Sequence, residues 1–476
     1  MTVTRSGFVR AEGSRLVDDQ GPLLLRGVGL GNWLLPEGYM WLFGDDMSAP
    51  WQIEERIESL VGETRAEQFW TRFRDTFVSE RDFALIAEMG FDHVRLPINA
   101  RVLMDDAGHL LENGFALVER AVGWGRRHGL RVLLDLHGAP GGQTGTNIDD
   151  SRRGKPELFM DDRYREQTIA LWEELVRRYR DDETVLGYDL LNEPLPHEWQ
   201  YVYNDALVEL YRDLTAAIRA IDDRHLIMYE GSHWATNWTP LTERFDDNQA
   251  LQFHRYWCAP DRTSIQPYLD AREQLDTPIY MGEGGENTPA WIYAATRLYE
   301  RYDIGWNFWP WKKLATATSP LSARPVDGWS SIADPERSPA PAQAQELLEQ
   351  FLRNIEADRC HVQQPVLDAL FASPTLELPA WAGAVSGGEE PIAAMAAEPL
   401  PEDIWNHTAG APYAPEEAVG VTLVSGAELA FPFAAEPSSW EIGAAPTGTV
   451  TGQWRGDALV LHAQTDAIVH SVSVRP

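Results

Sequence analysis

The chain has 476 residues, 44% of them hydrophobic and 24% charged, which supplies apolar material for a large core and excludes wholesale disorder. Forty Lys and Arg stand against 73 Asp and Glu, and the net charge of −33 repels nucleic-acid phosphates and anionic membrane surfaces alike. Two cysteines in no metal-like spacing (Cys258 and Cys360), no visible secretory leader and no apolar run of membrane-spanning length together predict a cytoplasmic protein.

In chain order, GFVRAEG and SRLVDDQG alternate apolar and polar residues around glycines and predict a hairpin. From about residue 23 to 311, short runs rich in Val, Leu and Ile alternate with amphipathic stretches, the pattern of a parallel α/β sheet. The runs are LLLRGV (23–28), HVRLPI (93–98), RVLLDLH (131–137), VLGYDLLN (185–192), LIMYEG (226–231), LQFHRY (251–256), PIYMGEG (278–284) and IGWNFWPW (304–311). Helical spacing recurs between them at 115–129, 166–180, 204–221 and 286–302, and QAQELLEQFLRNIEA (343–357) reads as a closing helix. Eight strand and helix units predict a closed (β/α)8 TIM barrel within residues 1–371, its lower mouth capped by the N-terminal hairpin. A dinucleotide-binding sheet is disfavoured, because Gly27-Val28-Gly29-Leu30-Gly31 lacks the G-x-G-x-x-G spacing. After an Ala/Pro/Gly-rich lead-in, short alternating segments from 419 onward predict a small, sandwich-like all-β domain over residues 372–476.

In such a barrel the C-terminal strand ends converge on the face that carries chemistry. Here they supply Arg95, His137, Asn192 with Glu193, His254 with Tyr256, Glu283 and Trp309. Cleaving a glycosidic bond takes an acid for the leaving oxygen and a carboxylate for the anomeric carbon, and Glu193 and Glu283 have that chemistry. A lone glutamate more often caps a helix or pairs with a cation, so the pair carries the reading rather than either member. His137 and His254 sit on different strands without metal-ligand spacing, and Asp149, Asp150, Asp161 and Asp162 lack the pattern of a calcium loop. No G-x-S-x-G surrounds a serine, which removes ester hydrolysis.

The successive segments GLGNWLLPEG, HVRLPIN, LLDLHGAPGGQ, YDLLNEP, FHRYW, MGEGG and NFWPWK resemble, in order, the strand-end motifs of glycoside hydrolase family 5, the retaining β-glycosidases, across roughly residues 23–313. The resemblance implies Glu193 as acid/base and Glu283 as nucleophile, with Glu37, Arg95, His137, Asn192, His254, Tyr256 and Trp309 binding the substrate. Arg95 and Tyr256 would stabilise Glu283 as an anion, Asn192 would hold the sugar 2-hydroxyl, and Trp309 would stack on the sugar ring. No cofactor and no metal are implied, and the partner is a small carbohydrate.

Within the family, GNWLLPEG is most similar to the corresponding segment of the exo-β-1,3-glucanase and β-glucosidase branch, which puts Glu37 on the terminal sugar, and the third-strand loop adds Gln143 and Asn147. An exo-acting β-glucosidase or exo-β-glucanase is therefore expected. Endo-glucanase, mannanase, transglycosylase or glycosylceramide and aryl-diglycoside hydrolase action stay open as alternatives. A segment 32–50 that walls off one side of the first subsite would favour exo action.

Overall fold

The computed structural model describes residues 6–146, 148–386 and 420–476; Asn147 and most of the Ala/Pro/Gly-rich lead-in lie outside them. Eight parallel strands close into a barrel in sequence order: β1 (Arg26–Gly29), β2 (His93–Asn99), β3 (Arg131–Gly138), β4 (Val185–Asp189), β5 (Leu226–Glu230), β6 (Gln249–His254), β7 (Ile279–Gly285) and β8 (Gly305–Trp309). Strands β2 to β8 are buried along their length, as expected for parallel strands covered by helices outside and by one another's side chains inside.

Alternation along each strand decides what the barrel interior contains. At the lower end Leu133 (β3), Leu186 (β4), Leu226 and Met228 (β5), Ala250 (β6) and Tyr280 (β7) form one apolar cluster. Two and four residues further along the same faces the character changes, to Asp135 and His137 on β3, Glu230 on β5, and Gln252 and His254 on β6. An apolar plug thus supports a polar upper layer.

The N-terminal segment closes the lower end. Arg10–Glu12 and Arg15–Asp18 pair antiparallel, Gly21–Pro22 joins them, and Val9, Leu16 and Leu25 pack into the apolar cluster of the barrel floor. The helices follow local signals. Glu112–His128 ends on Arg126, Arg127 and His128 and then on Gly129 at φ 69, so basic residues face the negative helix end and glycine takes the left-handed cap. The helix expected from 286 begins instead at Pro289, because the Thr288 hydroxyl accepts the Trp291 N–H and proline fixes the first turn.

Beyond the helix Gln364–Leu370 come two antiparallel sheets. Ala467–Arg475 pairs with Glu377–Pro379, Val421–Leu423 and Ser439–Ala445; the second sheet runs Ala384–Ser386, Glu428–Pro432, Ala458–Ala463, Val450–Arg455. This unit docks on the barrel: the Tyr293 hydroxyl donates to the Pro432 carbonyl at 2.6 Å, and the Ala434 N–H donates to the Ala372 carbonyl at 2.8 Å.

Candidate active site

The site begins where β4 stops being a strand. Regular pairing ends at Asp189, three residues before the end expected from the sequence. The chain then turns so that Glu193 adopts φ 46, a left-handed conformation that costs a non-glycine residue about 1 kcal/mol or more. It is held there by its own N–H, which donates to Glu230 Oε2 at 2.6 Å, and by the Asn192 N–H on the Leu136 carbonyl at 3.1 Å. Across the barrel, β7 shifts register between Met281 and Glu283, which turns Glu283 toward the same space. Gly282 permits this approach, since a Cβ there would lie 2.1 Å from the Gln252 side chain.

Carboxylate oxygens of Glu193 and Glu283 and a ring nitrogen of His254 all lie within 4.8 Å of one another. Arg95 Nη1 donates to Glu283 Oε1, and the Tyr256 hydroxyl donates to Glu283 Oε2 at 2.8 Å. His254 Nδ1 is 2.6 Å from Glu193 Oε1 and 3.7 Å from Glu283 Oε2, while its Nε2 is 3.3 Å from Glu230 Oε1.

The carboxyl pair opens into a pocket of about 460 Å³. Of the residues singled out from the sequence, Glu37, His137, Glu193, Tyr256, Glu283 and Trp309 line it. Tyr39, Ile148, Trp234 and Trp257 complete the wall; sequence reasoning does not single them out, because Tyr39 sits in the single-turn 3-10 helix Gly38–Trp41 and the others lie on loops. Trp309 lies 7° from parallel to the His137 ring, with centroids 5.4 Å apart, and its Nε1–H donates to the Tyr39 hydroxyl at 3.0 Å.

Three residues expected against the substrate stand behind the wall instead. Arg95 has no exposed surface, because its guanidinium is consumed by Asp189 (2.8 Å), Asn192 (2.8 Å), Glu230 (3.1 Å), Asp135 (3.2 Å) and Glu283. Asn192 is equally buried, its Oδ1 accepting from Arg95 and its Nδ2 lying 3.3 Å from His137 Nε2, and His254 is 2% exposed between its carboxylates. Gln143 is a brace between strand ends: its Nε2 donates to the His137 and Asn192 carbonyls at 2.6 and 2.9 Å, and its Oε1 accepts the Ala139 N–H.

Burial and crowded charge set the protonation states. Burial pushes the Glu37 carboxyl well up, and the nearby Glu283, Glu286 and Glu193 add to it. Burial also raises Asp135 and Asp189, with Arg95 opposing. Burial lowers His137 to about 4, so its ring is neutral at physiological pH. Burial alone would lower His254 as well, but Glu230, Glu283 and Glu193 outweigh it and raise the ring well above the usual value. Burial would raise Glu230, yet His254 and Arg95 bring it below the ordinary carboxylate range. Glu193, His254 and Glu283 are close enough to share a cation, but each is already engaged with the others or with Arg95 and Tyr256, whose guanidinium and hydroxyl supply the charge and hydrogen bonding a metal would bring.

The chain is similar to known proteins. The family described as Cellulase (glycosyl hydrolase family 5) matches residues 58–314. A β-xylosidase of Phanerodontia chrysosporium is 29% identical over 272 residues, 56% of this chain and 56% of that protein. A probable glucan 1,3-β-glucosidase A of Emericella nidulans is 32% identical over 278 residues, 54% of this chain and 66% of that protein. The matched stretches thus span between about half and two thirds of these relatives' length. Among solved structures, an endogalactoceramidase aligns over 98% of this chain and 100% of its own at a TM-score of 0.54 and 16% identity, a likeness of fold that includes the C-terminal sheets.

Proposed function

Since the chain belongs to glycosyl hydrolase family 5 and is therefore a glycoside hydrolase, we propose that it cleaves β-glycosidic bonds with retention, as an exo-acting β-glucosidase or exo-β-glucanase on small glycosides. The observation that carries this reading is the pair of carboxyl groups, Glu193 and Glu283, within 4.8 Å across one pocket. A separation of about 5 Å suits double displacement, whereas inversion needs room for a water between the carboxyls, about 6.5 Å or more.

In the first step Glu283, fixed at both oxygens by Arg95 and Tyr256, attacks the anomeric carbon while Glu193 gives its proton to the leaving oxygen. In the second, Glu193 takes a proton from water, which displaces Glu283 from the sugar. Tyr256 keeps its own proton throughout, because burial and the Glu283 charge push the phenol well up.

Exo action is supported by the closed side of the pocket. Residues 30–41 are buried almost throughout, and Glu37 and Tyr39 from this segment line the pocket, with Tyr39 tied to Trp309. Among the described residues Glu37 Oε1 is buried without a hydrogen-bond partner, which suits it to accept a sugar hydroxyl. The half-buried Trp234 and Trp257 also favour an apolar aglycone as a second reading. A cytoplasmic location belongs to the same proposal, and cell fractionation tests it.

The direct experiment follows laminari-oligosaccharide and aryl β-glucoside hydrolysis by proton NMR and chromatography. Single β-configured glucose units released from one end are expected. A first-formed α-anomer, or internal fragments, overturns the reading. With Glu193→Gln, glycosides with poor leaving groups lose about 10²- to 10⁴-fold, whereas activated aryl glycosides lose far less in the first step.

A further inference from the structure

A second carboxylate stands behind the acid/base. Glu230, the last residue of β5, is fully buried and outside the pocket lining, so no sugar reaches it. Its Oε2 accepts the backbone N–H of Glu193 at 2.6 Å. Its Oε1 faces His254 Nε2 at 3.3 Å and Arg95 Nη2 at 3.1 Å, and accepts from the Gln252 amide. One side chain therefore holds the main chain that aims Glu193 and lies beside the imidazole that touches the Glu193 carboxyl.

The charges around this group can be paired. Arg95 contacts Asp135 on β3, Asp189 on β4, Glu230 on β5 and Glu283 on β7; His254 on β6 faces Glu193, Glu230 and Glu283. Burial pushes the Asp135 and Asp189 carboxyls well up, against the pull of Arg95. Arg95 then balances Glu283, which it contacts, and the His254 imidazolium balances Glu230. The ring's nearest carboxylate is that of Glu193, with Nδ1 2.6 Å from Oε1, so the imidazolium stands between the two glutamates.

We propose that Glu230 is a positioning residue for proton transfer: by anchoring the Glu193 backbone and facing the His254 ring that touches the Glu193 carboxyl, it aims that carboxyl at the leaving oxygen. The proposal rests on the reading of Glu193 as acid/base. Without Glu230, the positive ring has only Glu193 and Glu283 to face, and the coupled Glu193–His254 pair gives up a proton more easily.

Two experiments test this. In the intact wild-type protein labelled with 15N at histidine ring nitrogens, His254, assigned by loss of its signals in His254→Gln, should show both nitrogens protonated at the pH of highest activity. A neutral ring there overturns the proposal. In Glu230→Gln, the alkaline limb of the kcat/KM profile on an aryl β-glucoside should move to lower pH by about one unit or more, and Glu230→Asp should bring it back toward wild type. A limb that stays in place while the plateau falls means a merely structural role and sinks the idea. Failure of the acid/base reading looks different: Glu193→Gln would then lose activity equally on good and poor leaving groups.

Discussion

Oε2 of Glu283 receives the Tyr256 hydroxyl at 2.8 Å while Arg95 takes the other oxygen, so the carboxylate is clamped at both ends before any substrate arrives. A nucleophile fixed in this way need not reorganise during attack, which is where preorganised donors act in catalysis. Tyr256→Phe removes one donor to a charged group, worth about 1.5–3 kcal/mol, and kcat/KM should fall about 10- to 100-fold. Glu283→Ala should lose about 10⁴-fold or more with an unchanged circular-dichroism spectrum. An alanine variant that keeps most of its activity removes Glu283 from the mechanism.

Arg95 is the cation that lets several carboxylates share the barrel interior. Arg95→Met keeps the aliphatic stem but strands Glu283 and Glu230 without their shared partner. Breaking a buried pair from one side costs about 3–5 kcal/mol, so the variant should unfold at clearly lower urea or temperature. Arg95→Lys should recover only part of that loss, because one ammonium cannot reach Asp189, Asn192 and Glu283 together as the fork does. Equal stability of wild type and Arg95→Met would show that the cluster is neutralised by other means.

His137 gives stability a predictable pH dependence. Its ring is 2% exposed and, lowered by burial to about 4, stays neutral in the folded protein, whereas in the unfolded chain it takes a proton near pH 6.5. Between these values the unfolded state binds more protons, so stability rises with pH. The contribution is complete above about 6.5 and is lost as pH falls toward about 4, by about 1.4 kcal/mol per unit at most. His137→Gln should flatten the slope of urea-unfolding free energy in that window; an unchanged slope would mean that the ring is already charged in the folded state.

All eight strands were legible because parallel strands buried on both faces must be written as apolar runs. Their ends were less so. VLGYDLLN reads as one strand to Asn192, yet pairing stops at Asp189, since the residues beyond it obey the turn that aims Glu193. Position along the strand locates Arg95, Asn192 and His254 but not their depth: a strand-end residue can face the pocket or the layer beneath, and only neighbours in space decide. Glu230 carries a signal of its own, a single acid two residues beyond Met228 on the inward face of an otherwise apolar strand. The strand Ser439–Ala445 had little signal, because its glycine and alanines show no alternation. Tyr39 had none, since the single 3-10 turn Gly38–Trp41 is too short for a period that separates a pocket-lining ring from a packed one.

The position of Trp309 depends on what is missing opposite it. A Cβ on Gly31 would lie 2.6 Å from the Cη2 and Cζ2 atoms of the indole, and one on Gly29 would lie 2.5 Å from its Cε3, both closer than real Cβ contacts come. The ring has little freedom to yield, with its Nε1–H committed to the Tyr39 hydroxyl at 3.0 Å and the His137 ring nearly parallel at 5.4 Å. Gly31→Ala must therefore displace the indole, the Tyr39 contact, or both. Because Trp309 and Tyr39 line the pocket while Glu193 and Glu283 are held by other residues, the injury should fall on binding more than on bond cleavage. KM for an aryl β-glucoside should rise about tenfold, the equivalent of about 1.4 kcal/mol, with kcat changed much less. Gly44→Ala is the control, since nothing lies within 4 Å of a Cβ built there, and it should match wild type. If Gly31→Ala binds as tightly as the control, Trp309 is not the surface on which the sugar rests.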